Sequence, residues 1–209
     1  MQKMSGYIKT VFLDIGSVLL TNGWDTKSRK LASIKFNLDY EDFEARHADL
    51  FALYEEGKIS LDYYLDKAVF YKEYPFSKNE FKDFMFDQSQ FYPEMVNLFA
   101  GLKDKYKFKL ISINNEGLEL SIYRINKFSL NLLFDFFITS CFVHMRKPDE
   151  NIFKLALNLS YTKPDESIFI DDRSFNVETA ANLGFNAFQH INYESTKEKL
   201  SKFKFTSTV

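Results

Sequence analysis

Cysteine is almost absent from this sequence. Cys141 stands alone, so no disulfide can form within the chain; that usage suits a reducing compartment and leads us to expect a cytoplasmic protein. There is no excess of basic charge either. The 27 Lys and Arg face 29 Asp and Glu, for a formal net charge of −2. No basic stripe stands out, and without one the electrostatic footprint of nucleic-acid binding is missing. No apolar run approaches the roughly 18 residues that a membrane span needs. The stretch "MQKMSGYIKTVFLDIG" lacks an apolar segment closed by a small-residue cleavage site, so no secretion signal is expected. Neither an internal repeat nor a low-complexity linker is visible. What the chain has in quantity is ring-bearing side chains, 24 Phe and 12 Tyr, within a 45% hydrophobic composition that can fill a substantial core. Its 209 residues suit roughly one or two domains, and nothing in the composition fixes the oligomeric state.

Three short apolar runs read as buried parallel strands: "TVFLDI" (10–15), "FKLISI" (108–113) and "SIFID" (167–171). "FFITS" (136–140) and "AFQHI" (187–191) are weaker candidates. Helical patterns separate them after residue 92, with Pro93 and Pro148 at first-turn positions and Gly184 at a helix stop. Alternation of this kind predicts an α/β fold: a Rossmann-like parallel sheet flanked by helices. Residues 24 to about 90 break the rhythm and read as helices only. Asp39, Ser60 and Ser77 are placed as N-caps, and Ser77 with Glu80 makes a capping box. We therefore expect a core of residues 1–22 and 91–209 interrupted by an all-helical cap over 23–90. The aromatic residues Phe51, Tyr54, Tyr63, Tyr64 and Tyr71 would pack the interior of that insert, and His47 and His190 suggest ordinary structural use.

In open α/β sheets, ligands bind beyond the carboxyl ends of the strands. Asp14 after the first strand, Ser112 near the end of the second, Lys147 after "FFITS", and the pair Asp171–Asp172 after "SIFI" all fall there. Taken singly, each has an ordinary explanation as a turn acid, a helix cap or a solvated lysine. Together they place three carboxylates, a hydroxyl and an ammonium on one rim. Carboxylates crowded in this way resist ionisation unless they share a cation. Oxygen ligands at that density suit Mg²⁺, while a lysine and a hydroxyl suit a phosphoryl group. Asp14 would then be either a nucleophile or an orienting acid.

These residues sit in recognisable stretches. "FLDIGSVL", "LISINN", "MRKPDENIF" and "FIDDRSFNVETAANLGF" resemble, in order, the four motifs of the haloacid dehalogenase-like (HAD) superfamily. "LYEEGKISLDYYLDKA" is similar to a segment of the helical cap that follows the first motif in many members. Within the superfamily, the Asp-x-Gly form and "MRKP" resemble bacterial sugar-phosphate phosphatases, notably glucose-1-phosphate phosphatases. The resemblance implies a phosphatase acting on a small phosphorylated metabolite. Asp14 would be the nucleophile, forming an aspartyl-phosphate. Mg²⁺ would be held by Asp14, the Gly16 carbonyl and Asp172, with Asp171 adjacent or sharing. Ser112, Ile113, Asn114 and Lys147 would bind the phosphoryl group, and Asn176 would brace the last loop.

Several residues depart from the family pattern. The second motif-one acid, a general acid–base in the family, is replaced by Gly16; such catalysis is worth on the order of 10²–10⁴-fold. A good leaving group could make the acid dispensable, another group could replace it, or turnover could be slow or lost. Ile113 stands where related phosphatases have Asn, with Asn114 or Asn115 as substitutes. His144 replaces a usual glycine and offers a proton carrier, and Arg146 is a secondary phosphate ligand. Two other functions compete with the phosphatase: a catalytically weak binding or regulatory protein, and a metal-free dehalogenase. The dehalogenase has no use for the acid pair at 171–172.

Overall fold

Thr10–Leu13 forms the first strand, β1, and all four of its residues are buried. The computed structural model describes residues 7–207. After β1 come four helices, α1 (Thr26–Phe36), α2 (Tyr40–Glu55), α3 (Leu61–Ala68) and α4 (Lys78–Asp87). The chain returns through α5 (Pro93–Lys105), β2 (Tyr106–Lys107), β3 (Lys109–Asn114), α6 (Leu118–Lys127) and β4 (Phe136–Thr139). It then runs through α7 (Ser140–Val143), α8 (Glu150–Ser160), β5 (Ser167–Asp171), α9 (Ser174–Asn182), β6 (Asn186–Gln189), α10 (Tyr193–Leu200) and β7 (Thr206–Ser207).

Five strands make one parallel sheet in the order β4-β3-β1-β5-β6, and β2 pairs antiparallel with β7 beside it. Period-two alternation in the strands feeds two cores. Val11, Leu13, Leu110, Ile168 and Ile170 pack against Met95, Phe99 and Leu200 on one face. Phe12, Ile111, Ile113 and Phe169 pack against Ile152, Phe153, Ala180 and Phe185 on the other. Burial on both faces is why these strands are continuously apolar rather than half polar. The chain leaves β1 for β3 on one side and reaches β5 on the other, so the topological switch point lies at β1.

The helices between β1 and α5 have their own core. Phe81 packs edge-on against Trp24 and Phe43 and against Phe36 at 4.9 Å between centroids. Asp39, Ser60 and Ser77 cap α2, α3 and α4 as expected, and the Ser77–Glu80 capping box is formed. Tyr54 and Tyr64 are fully buried, whereas Tyr63 and Tyr71 are 48% and 38% exposed, so packing does not account for those two. The helical module meets the core at defined points. Ser140 Oγ donates to Glu55 O at 2.6 Å, His144 Nδ1 donates to Glu56 O at 2.8 Å, and Leu61 N donates to Glu119 Oε1 at 2.9 Å. Gly57 (φ +66°) lies so close to Cys141 that a Cβ there would stand 2.5 Å from its carbonyl oxygen.

Pro148 is not in the first turn of a helix. Asp149 takes the N-cap of α8, its side chain accepting from Asn151 N at 2.8 Å, which leaves Pro148 one residue outside. Pro93 does begin α5, and Gly184 (φ +92°) follows α9 in the left-handed region. Among the described residues, no helix is long and apolar enough to cross a membrane.

Candidate active site

The register of the sheet brings the acids together. Leu13 pairs with Ile170, and Asp14 N donates to Ile170 O at 2.9 Å, so Asp14 and Asp171 leave adjacent strands side by side. Lys147 arrives from the loop between α7 and α8. That loop is clamped by Asn115, whose Oδ1 accepts from Lys147 N and whose Nδ2 donates to Lys147 O, both at 2.8 Å.

Lys147 is 2% exposed, and its ammonium meets three acceptors: Asp171 Oδ2 at 2.6 Å, Ile113 O at 2.7 Å and Asp14 Oδ1 at 3.0 Å. Burial opposes its charge, but Asp14 and Asp171 outweigh that and hold its pKa above the ordinary lysine value. Burial pushes the Asp14 carboxyl up to about 7; Lys147 resists the shift, while Asp171 and Asp172 reinforce it. Asp172 is raised for the same reasons, burial first and then the Asp171 charge.

Asp14, Asp171 and Asp172 each bring one oxygen within 4.8 Å of the others. Three carboxylates outnumber the Lys147 ammonium in the cluster, with the Arg173 charge acting on Asp172 from beside it, and crowded acids of this kind suit a shared divalent cation. The Oδ1 atom of Asp172 is buried and finds no hydrogen-bond donor among the described residues, an orphan that a cation would satisfy. The three acids are not equally available. Asp171 is saturated: Oδ1 accepts from Arg173 N and Asn176 Nδ2, and Oδ2 from Lys147 and Asn176 Nδ2. The open carboxylates are Asp14 and Asp172, and Asp171 anchors Lys147 and Asn176.

Above the cluster lies a cavity of about 540 Å³ that reaches from Asp14, Gly16 and Lys147 to the helical module. Asn114, Arg146 and Asn176 line it, as do Arg29, His47, Phe51, Tyr54 and Glu55 from the module. Ser112 does not. β3 continues two residues past it to Asn114, so Ser112 is fully buried within the sheet and its Oγ is unpaired. Ile113 contributes its carbonyl to Lys147 while its side chain joins the core. His144 has the left-handed backbone (φ 55°) that a glycine usually supplies, but its ring is turned to Glu56 O and away from the acids. Arg146 pairs with Glu55.

Sequence reasoning missed the far wall of the cavity. Glu116 pairs with the buried Arg124, and burial raises the carboxyls of Glu116 and Glu55 against the pull of Arg124 and Arg146. His47, assigned ordinary structural use, stands on this wall with Nδ1 at 2.8 Å from Tyr64 Oη. Tyr64 Oη accepts from Trp24 Nε1 and also shares a hydrogen bond with His47 Nδ1. Burial, with Arg29 nearby, lowers the imidazole to about 4 and keeps it neutral. The "YEEG" segment held the only available signal, two acids inside an aromatic helix.

A doubly wound parallel sheet with acids and a lysine at its switch point defines a class of α/β hydrolytic enzyme. The chain belongs to the haloacid dehalogenase-like hydrolases, whose family pattern matches residues 8–184. A HAD family enzyme from Bacteroides thetaiotaomicron is similar to it at 21% identity and a TM-score of 0.78, covering 89% of this chain and 95% of that one. That enzyme has also been solved in complex with magnesium and inorganic phosphate. A HAD-like hydrolase from Porphyromonas gingivalis gives a TM-score of 0.76 at 21% identity, over 95% of this chain and 100% of that one. In sequence, 51 residues are 43% identical to bifunctional epoxide hydrolase 2 of Rattus norvegicus, 24% of this chain and 9% of that protein's length.

Proposed function

We propose that the chain is a Mg²⁺-dependent phosphatase of a small phosphorylated metabolite, with residues 23–90 serving as a cap over the site. The observation that carries this reading is the cluster of buried Asp14 and Asp171, both paired with Lys147, and half-buried Asp172 at the floor of the cavity. Asp14, Asp172 and the Gly16 carbonyl would hold Mg²⁺, which would supply positive charge to an anionic substrate and keep Asp14 ionised. The Asp14 carboxylate attacks phosphorus; the bond from phosphorus to the leaving oxygen breaks, and the leaving group takes its proton from solvent. Water then attacks the aspartyl-phosphate, the bond to Asp14 breaks, and phosphate departs as the water proton passes to solvent. Lys147 neutralises phosphoryl charge, and Asn114 is the second-motif side chain in position to bind phosphoryl oxygens.

With glycine at 16 no side chain there can protonate the leaving group, which favours substrates that leave readily, such as anomeric sugar phosphates. Gly16 also favours the second reading, a protein that binds phosphate with little turnover. Aryl phosphate hydrolysis separates the two. Turnover that needs Mg²⁺ and disappears in Asp14→Asn supports the phosphatase; silence with and without metal refutes it.

A further inference from the structure

The region above Gly16 is already filled. A Cβ built on Gly16 would stand 2.5 Å from Asn22 Oδ1 and 3.6 Å from its Cγ, so any side chain at position 16 competes with the Asn22 amide for one volume. Asn22 lines the cavity beside Asp14 and Gly16, and its amide is close enough to Asp172 to favour that carboxylate's charged form. A carboxylate accepts and an amide N–H donates, so Nδ2 is the atom suited to face Asp172. Oδ1 then faces the volume over Gly16.

The backbone on either side of Asn22 is anchored. Thr21 N donates to Gln90 O at 2.9 Å, Gln90 N donates to Thr21 Oγ1 at 2.9 Å, and Thr21 Oγ1 donates to Gln88 O at 2.7 Å. On the other side, Gly23 (φ +49°) packs so near Arg124 that a Cβ would meet its Nη1 at 3.2 Å. Asn22 therefore sits on the segment of chain that joins the sheet to the helical module, between two anchored neighbours and with Asp172 beside its amide.

We propose that Asn22 is the group that positions the attacking water in this enzyme, taking over the place left open by Gly16. An amide oxygen accepts one hydrogen bond from water and fixes its direction, but it takes no proton. The inference rests on the phosphatase reading and gives each step its own consequence. In the first, nothing protonates the leaving oxygen, which restricts substrates to good leaving groups. In the second, Asn22 Oδ1 orients the water that attacks the aspartyl-phosphate; the phosphorus–Asp14 bond breaks and the water's proton goes to solvent.

The test compares wild type with Asn22→Ala, Gly16→Asp and the double variant Gly16→Asp/Asn22→Ala, using an aryl phosphate and a primary-alcohol phosphate with saturating Mg²⁺. Asn22→Ala is expected to lower kcat on the aryl phosphate about tenfold with KM little changed, and to release a burst of aryl alcohol as the second step becomes limiting. Gly16→Asp alone should gain less than the double variant, because the new carboxyl must first displace the Asn22 amide. With Asn22 truncated as well, the carboxyl fits, and alkyl phosphate turnover should rise on the order of 100-fold. An unchanged kcat in Asn22→Ala, or a gain in Gly16→Asp equal to that of the double variant, overturns the proposal. A wild-type chain silent toward aryl phosphate removes the phosphatase reading, and this one with it.

Discussion

Replacing Lys147 by methionine keeps the apolar stem and deletes the ammonium that meets both Asp14 and Asp171. The lost partners are Asp171 Oδ2, Ile113 O and Asp14 Oδ1, at 2.6, 2.7 and 3.0 Å from the ammonium. Removing one member of a buried ion pair costs about 3–5 kcal/mol because the remaining charge stays desolvated, a large share of a typical 5–15 kcal/mol stability. Protonation offers Asp14 an escape. The Asp14 pKa is already about 7 with Lys147 present, and without it the native state would hold that proton to still higher pH. A native carboxyl raised above its unfolded value binds more protons than the unfolded chain, so stability falls as pH rises through that window. The difference between wild type and Lys147→Met should therefore be small near pH 5 and about 3–5 kcal/mol near pH 8. Urea denaturation in metal-free buffer at the two pH values measures it. A loss under about 1 kcal/mol near pH 8, or a larger loss near pH 5, would refute the reasoning.

Three further predictions follow from particular contacts. Mg²⁺ should raise stability near pH 8, by about 2.7 kcal/mol at a hundredfold excess over its Kd. The gain should fade as pH falls through about 7, where Asp14 takes up a proton; thermal melts with and without the metal decide, and a pH-independent gain contradicts the assignment. Gly57→Ala should lower the urea midpoint by more than about 1 kcal/mol in stability, since it strains a φ of +66° and sets a Cβ 2.5 Å from Cys141 O; a neutral result contradicts the tight approach. His47, lowered to about 4, is neutral when folded and charges more readily when unfolded. It should remove up to about 3 kcal/mol as pH falls from 6.5 toward 4, a slope that His47→Gln should flatten in acid denaturation.

Much of the sheet was legible because its strands are buried on both faces and read as unbroken apolar runs. The caps of the helical module were legible because Asp39, Ser60 and Ser77 act within one turn of chain. Ser112 was not. Whether a strand stops at Ser112 or runs on to Asn114 depends on its partner, and Asn114 pairs with Thr139 of β4. Asn22 was hidden for a related reason, because its meaning comes from a contact with Gly16 and Asp172 that no local pattern encodes. Most of the far wall was illegible too: Glu55, Glu116 and Arg124 are ordinary surface residue types, buried here because each acid meets a guanidinium, whereas half-buried Arg146 was already a candidate from "MRKP". Pro148 shows the limit of a local rule, since a helix-start proline and a proline just before an Asp cap look alike in sequence.

The most direct test of the account is the covalent state of Asp14 during turnover. Acid quenching of the enzyme with aryl phosphate and Mg²⁺, followed by mass analysis of the peptides, should find a phosphoryl group on the peptide that contains Asp14. The adduct should be absent from Asp14→Asn. Steady turnover with no adduct there, or an adduct on another residue, would contradict the nucleophile assigned to this site.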